Sequence, residues 1–370
     1  MPAARSSAAT RLAPAAIDAP MRRRGQAALA AQPSDLTCLS VMTVDPECAR
    51  LRDLIAADVG GTHARVGHVR VGDDGALSVV RFRQYACAQA PSLAAILRDF
   101  AAEAQLSSEH AVVAIAGRLD GDRLVNSNLP WPVSLERTRV EAGRERLALI
   151  NDFEAVAYAV PRIDASGMTQ VCGGDAVTDG PALVLGPGTG FGAALYVPGT
   201  PARVLASEAG HAALAAGTPR ELDLLRLLLR RWPHVDNERV LSGPGLVHTY
   251  QALCELDAVA PRLDTPAAIT AAAQRGDDAQ AAETVAIFCA MLGSLAGDLA
   301  VTFGAQSVYL AGGIPAQIVP LLLASDFAAR FVNKGVFAEL MARTPVRLVE
   351  HGQLGLLGAA ACYLERYAAA

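Results

Sequence analysis

Short apolar runs separated by turn signals fill the first half of this chain, with segments of helical spacing between them. Residues 54–57 are apolar and end on Asp58. Gly60 and Gly61 then turn the chain, and Val66, His68, Val69 and Val71 restart a β-like run. Asp73-Asp74-Gly75 marks a turn, and 77–87 reads as a third strand. Over 91–105, Leu93, Ile96, Leu97 and Phe100 fall at helical spacing, with Pro91 in a start position. Residues 111–116 read as a buried strand closed by Gly117, and 135–146 as a helix. Another strand, 147–150, delivers Asn151 and Asp152 at its end. A helix over 153–160 follows and stops at Pro161.

The second half repeats the opening unit. Residues 183–185 are apolar, Gly186-Pro187-Gly188-Thr189-Gly190 turns, and 191–197 continues as strand. Two strand–glycine–Thr–strand units predict a duplicated domain with phosphates held between the halves. Glycine turns between strands differ from dinucleotide folds and P-loops, where the glycines open a helix. Backbone amides in such a turn can wrap phosphates because no Cβ blocks the approach; a plain Gly-Gly hairpin with a solvated Asp58 is the other reading. Further on, Thr218-Pro219-Arg220-Glu221 is a capping box launching an apolar helix to about Arg231. Gly243-Pro244-Gly245 reads as a bend before a helix over 246–253. A long helix over 281–303 stops at Gly304. Residues 307–310 form a strand with Gly312-Gly313 at its exit, 346–349 a last strand and 354–367 a last helix.

Composition narrows the chemistry. The 370 residues are 52% hydrophobic with a formal charge of −5, which carries no nucleic-acid footprint. Among the 32 basic residues there is one lysine, Lys334, in VNKGVF. That context fits neither a Walker A loop nor a protein-kinase strand lysine. Phosphate chemistry must therefore use glycine turns, arginines, helix ends or a metal. Seven scattered cysteines without a CxxC pair predict reduced thiols and a cytoplasmic protein. The longest weakly polar run, 283–298, is shorter than the ~20 residues of a spanning helix, so no membrane is expected. Residues 1–50, rich in Ala, Arg, Ser and Pro, are expected to form a disordered leader. An organellar transit peptide is an open alternative, as is a translation start further on at Met21 or Met42. The fold is expected to begin near Leu51.

The motifs DVGGTHAR, LINDF, LGPGTGFG, SEAGH, ERVLSGPGL, LAGGI and GLLGAAA occur in this order over 54–364. Together they resemble the bacterial non-zinc, ATP-dependent glucokinase family of the actin/hexokinase-like superfamily. His63, Phe191 and Ala209 stand where that family more often has Asn, Leu and Gly. The resemblance implies an α/β fold made of two ribonuclease-H-like domains with an interdomain cleft. The smaller domain would take 51–161 plus 352–370, and the larger 162–351. It implies phosphorylation of the 6-hydroxyl of glucose at the entry to glycolysis, with ATP and Mg²⁺ in the cleft of a homodimer. Asp152 would be the base for the sugar hydroxyl, although by position it could equally cap its helix. Asn128, Asn151, Asp152, Glu208, His211 and Glu238 would bind the sugar, whose hydroxyls both donate and accept. Asn128 also reads as a turn residue, Glu208 and His211 as an exposed loop pair or as metal ligands, and Glu238 as a helix-start Glu. Asp58 would hold Mg²⁺ through water, with Gly60, Gly61 and Thr62 at one phosphate and Gly188, Thr189 and Gly190 at the others. Gly312 and Gly313 would let adenosine lie close to the backbone, or merely turn strand into helix. The rival functions are a kinase of another hexose, a catalytically weak sugar sensor and an actin-like assembly protein.

Overall fold

Ala, Val, Ile and Leu runs of β period build two six-stranded sheets that share one strand order. The computed structural model describes residues 42–43, 52–125, 129–160, 163, 167–176, 179–349 and 353–368. The first sheet contains β1 (Met42–Thr43), β2 (Asp53–Val59), β3 (His63–Val71), β4 (Ala76–Ala86), β5 (His110–Ile115) and, after the hairpin β6 (Arg118–Asp120) and β7 (Arg123–Val125), β8 (Arg146–Asn151). Its order is β1-β4-β3-β2-β5-β8. The second sheet contains β9 (Met168–Cys172), β10 (Ala182–Pro187), β11 (Phe191–Val197), β12 (Arg203–Ser207), β13 (Ser307–Leu310) and β14 (Val346–Val349), in the order β12-β11-β10-β13-β14-β9. Reading outward from β2 or from β10, the first two pairings on one side are antiparallel and the first two on the other are parallel; β1 adds an antiparallel strand beyond β4 and β9 one beyond β14, so five strands of each sheet correspond. The duplication foreseen from the two glycine turns is thus present in the topology.

Helices fill three layers around these sheets. On β2, Ile55, Ala57 and Val59 face α1 (Leu93–Glu103) and α2 (Leu135–Glu141), while Leu54 and Ala56 face the opposite side. That opposite side is a middle layer made by α3 (Asp152–Ala159) and the C-terminal helix, and it also takes Val184, Ala194 and Tyr309 from the second sheet. Beyond the second sheet lie α4 (Pro219–Leu229), α5 (Gly243–Leu256), α6 (Pro266–Arg275) and α7 (Ala279–Phe303), packed on Leu183, Leu185, Val308 and Leu310. Four short helices, α8 (Gly313–Gln317), α9 (Val319–Leu323), α10 (Phe327–Val332) and α11 (Ala338–Arg343), lead to β14 and then to α12 (Leu354–Tyr363) in the middle layer. The GLLGAAA motif has a packing reason there: a Cβ on Gly358 would collide with the Ala155 carbonyl of α3, and one on Gly355 with the Asp58 carboxylate.

Several expectations change. Met42 and Thr43 pair with Leu77 and Ala76, so the sheet begins ahead of Leu51; the other leader residues lie outside the described set. Helix α2 stops at Glu141, because Gly143 takes a left-handed turn (φ +65°) and Arg146 already belongs to β8. Pro91 lies outside α1, whose cap is Ser92, with its hydroxyl accepting from the Ala95 amide. Gly243-Pro244-Gly245 is the first turn of α5, capped by Ser242. The cap of α3 is Asn151, whose Oδ1 accepts from the amides of Phe153 (2.9 Å) and Glu154 (3.2 Å). Helix α7 is long and apolar enough to cross a membrane, which the run 283–298 did not suggest. It is instead the central helix of the outer layer, with Thr284, Phe288, Leu292 and Ala296 buried.

Candidate active site

Strand register brings the chemistry of the first half to one sheet edge. Asp58 lies beside Ala114, which lies beside Ile150; one residue on, Val59, Ile115 and Asn151 line up across β2, β5 and β8. Two strand spacings separate Asp58 from this end of β8, about 10 Å. The Asp58 carboxylate is buried at the floor of the first turn and paired with Arg65 Nη1 at 3.2 Å. The turn is tied from behind. The Gly60 amide donates to the His63 carbonyl, the Cys87 amide to the Thr62 carbonyl (2.9 Å), and the Cys87 thiol to the Gly60 carbonyl (3.4 Å). Burial pushes the Cys87 thiol up, which keeps it a neutral donor. With the Gly60 amide engaged, Gly61 and Thr62 present the turn amides that have no partner among the described residues.

The second turn is built alike. The Gly188 amide closes it onto the Gly190 carbonyl (2.8 Å), and the Gly243 amide at the start of α5 donates to the Gly188 carbonyl (2.8 Å). Thr189 and Gly190 are left with amides unpartnered among the described residues. Gly312 and Gly313 are brought beside this turn. The Ala311 amide donates to the Leu185 carbonyl (2.7 Å), and Gly312 (φ +111°) faces the Pro187 carbonyl so closely that a Cβ would lie 2.7 Å from it. Glu238 reaches the same turn: its Oε2 accepts from the Phe191 amide at 2.8 Å. Arg239, next in the chain, stacks 4.6 Å over Trp232.

Between the halves lies a cavity of about 420 Å³, within the range of small-molecule sites. Asn151 and Glu208 both line it, together with Arg118, Glu154 and the apolar side chains of Leu119, Leu124 and Leu149. Glu208 comes from the second half, just past β12, and Asn151 from the first, so the cavity belongs to neither half alone. Asp152 opens α3 one residue beyond the lining Asn151, with its Oδ1 accepting from the Phe153 amide (3.0 Å). His211 sits three residues past Glu208. It is 62% exposed, with Nδ1 3.7 Å from Asp236 Oδ2. Asp152, His211 and Glu238 stand outside the lining, and Asn128 lies outside the described residues. Among the described residues no three His, Cys, Asp or Glu side chains gather as a metal cluster.

Sequence reasoning passed over the β6–β7 hairpin that supplies Arg118, Leu119 and Leu124. Its signal was legible: Gly121-Asp122 is a two-residue turn with Gly first, and Gly121 adopts φ +59°. Glu154 was also passed over. It pairs with Arg366 at 2.5 Å, a contact from the far end of the chain that no local pattern announces.

The glucokinase family model matches residues 55–366. A glucokinase-like protein of Xylella fastidiosa (strain 9a5c) is 45% identical over 87% of this chain and 98% of its own length. A glucokinase of Stenotrophomonas maltophilia (strain R551-3) is 39% identical over 85% and 95%. The crystal structure of a glucokinase from an Antarctic psychrotroph superposes with a TM-score of 0.76 at 34% identity, covering 85% of this chain and 99% of that one.

Proposed function

Because this chain belongs to the glucokinase family, we propose that it transfers the γ-phosphoryl group of ATP to the 6-hydroxyl of glucose. The observation that carries this reading is the cavity where Asn151, at the mouth of α3, and Glu208, from the other half, line one space. A hexose in that space is met by an amide and a carboxylate from opposite sides, with Asp152 one residue away at the start of a rigid helix. In the step proposed, Asp152 takes the hydroxyl proton as the sugar oxygen bonds to the γ-phosphorus. The bond from that phosphorus to the β,γ-bridging oxygen breaks, and ADP leaves.

The residues present fit Mg²⁺ as a partner of ATP. This ion uses one or two carboxylates plus substrate phosphates, and Asp58 is a single buried carboxylate at the end of β2. Mg²⁺ would neutralise phosphate charge there. We assign the phosphates to the unpartnered amides of Gly61 and Thr62 on one turn and Thr189 and Gly190 on the other; Gly60 and Gly188 shape those turns. Gly312 and Gly313 are assigned to the adenosine side, and His211 and Glu238 to the rim of the sugar site. The boundaries assigned are 51–161 plus 352–370 for the smaller domain, which β1 joins as an edge strand, and 162–351 for the larger. A cytoplasmic homodimer is the assembly proposed.

The test is ADP release by the purified chain with Mg·ATP across a panel of hexoses. Glucose is expected to give the highest kcat/KM; a faster rate on another hexose reassigns the substrate, and none on any hexose removes the reading. Glu208→Gln is expected to raise the glucose KM, and an unchanged KM takes Glu208 out of the site.

A further inference from the structure

We infer that Phe153 is the positioning residue for Asp152, through a slot that the second half of the molecule cuts for its ring; this rests on Asp152 being the base. Phe153 follows Asp152 in α3, on the chain of the first half. Its ring nevertheless lies on the β10–β11 ladder of the second. Gly186 and Gly192 are register partners on that ladder. A Cβ on Gly192 would lie within 2.5 Å of three ring carbons, and one on Gly186 within 2.5 Å of two. No side chain other than hydrogen fits at either position without moving the ring. The carbonyl of Ala311, just past the end of β13, would lie 2.7 Å from the same added Cβ, so the space at Gly186 is bounded by backbone as well as by the ring.

The consequence is geometric. Gly186 precedes the second glycine turn and Gly192 follows it, so the ring is seated at the root of the segment assigned to phosphate. The base, one residue from the ring, is thereby indexed to that turn. Two amide bonds at the cap of α3 fix the backbone of Phe153 and Glu154 to Asn151. The ring in its slot fixes which way that first turn faces the second sheet. A base must hold its proton acceptor within hydrogen-bond reach of the hydroxyl, and displacement by about 1 Å costs on the order of 100-fold in rate.

The experiment compares Phe153→Ala, Phe153→Leu, Gly192→Ala and the double variant Phe153→Ala/Gly192→Ala for kcat, glucose KM and thermal midpoint, beside Asp152→Asn. Phe153→Ala is expected to lower kcat about 100-fold while glucose KM stays within about threefold. Phe153→Leu should recover part of that rate. Gly192→Ala should also lose rate in the wild-type background. It should lose none further once the ring is gone, because the added methyl then fills an empty slot. Rate losses that multiply in the double variant, or a full kcat in both Phe153→Ala and Phe153→Leu, overturn the inference. If Asp152→Asn keeps its kcat, the assignment of the base fails first; if Asp152→Asn is dead and Phe153→Ala is not, only the positioning role fails.

Discussion

Asn151 has two duties in this structure, and two substitutions separate them. Its Oδ1 caps α3 by accepting two amides, and its Nδ2 is left with one long contact, 3.5 Å to the Gly117 carbonyl, on the wall of the cavity. Asn151→Ser keeps a neutral capping oxygen and removes the amide donor; Asn151→Ala removes both. Loss of the cap costs about 1 kcal/mol. For a folded unit of roughly 300 residues, unfolding entropy near 2.1 cal/mol/K per residue turns that into about 1.5 °C of thermal midpoint. Loss of a donor to a sugar hydroxyl costs about 1–2 kcal/mol, or roughly 5- to 30-fold in glucose KM. Steady-state ADP release and calorimetry should show KM raised alike in both variants. The midpoint should fall only in Asn151→Ala, and kcat should fall further there, since an uncapped first turn lets Asp152 wander. Unchanged KM in both variants refutes the sugar contact. A kcat as low in Asn151→Ser as in Asn151→Ala refutes the cap as what orients the base.

Glu221→Ala leaves Arg330 buried without its partner (2.7 Å, side chains 3% and 14% exposed) and should cost about 3–5 kcal/mol in denaturant titration. Replacing both by Met should come back close to wild type, and a double variant as unstable as the single contradicts the desolvation account. Gly190→Ala places a methyl carbon 2.7 Å from Glu238 Oε2 and breaks the Phe191 amide bond at the second turn, so the ATP KM should rise severalfold with the fold intact; an unchanged ATP KM detaches Glu238 from the turn. The buried Cys289 thiol is pushed up to about 12 by desolvation, above its unfolded value near 9. Its contribution to stability is complete below pH 9 and is lost as the pH climbs toward 12, because only the unfolded chain ionises there. Denaturation midpoints should therefore drop from pH 9 to 11, less steeply in Cys289→Ala; an equal slope in the two proteins removes Cys289 as the cause.

Most of what could be read early was local. The unbroken apolar runs of β2 and β10, buried on both faces, the glycine turns and the Thr218 cap each depend on residues close in sequence, so residue pattern sufficed. The short strands β9 and β12 carry mixed burial and no apolar run, and they exist because β14 and β11 offer them an edge. Capping of α3 by Asn151 rather than Asp152 turns on backbone angles (φ −65°, ψ 143° at Asn151), which two adjacent Asx residues do not disclose. The pairing of Glu238 with the Phe191 amide joins residues far apart in sequence, and only the folded second half brings them together.

The middle layer decides how the two halves share one reaction. A strand-order repeat by itself would leave two separate phosphate turns, each backed by its own sheet. Helix α3 changes this: its first turn carries Asp152, the proposed base, its Ala155 backbone is close enough to α12 to forbid a Cβ on Gly358, and its Phe153 ring lies on the second sheet. Helix α12, through Gly355, also abuts Asp58 at the first turn. One pair of packed helices thus touches the carboxylate at the first turn and the root of the second, and it also carries Asp152. Gly358→Ala, which would press on the Ala155 backbone of α3, should accordingly alter glucose and ATP kinetics together; an effect on thermal midpoint alone would show that the layer only holds the halves together.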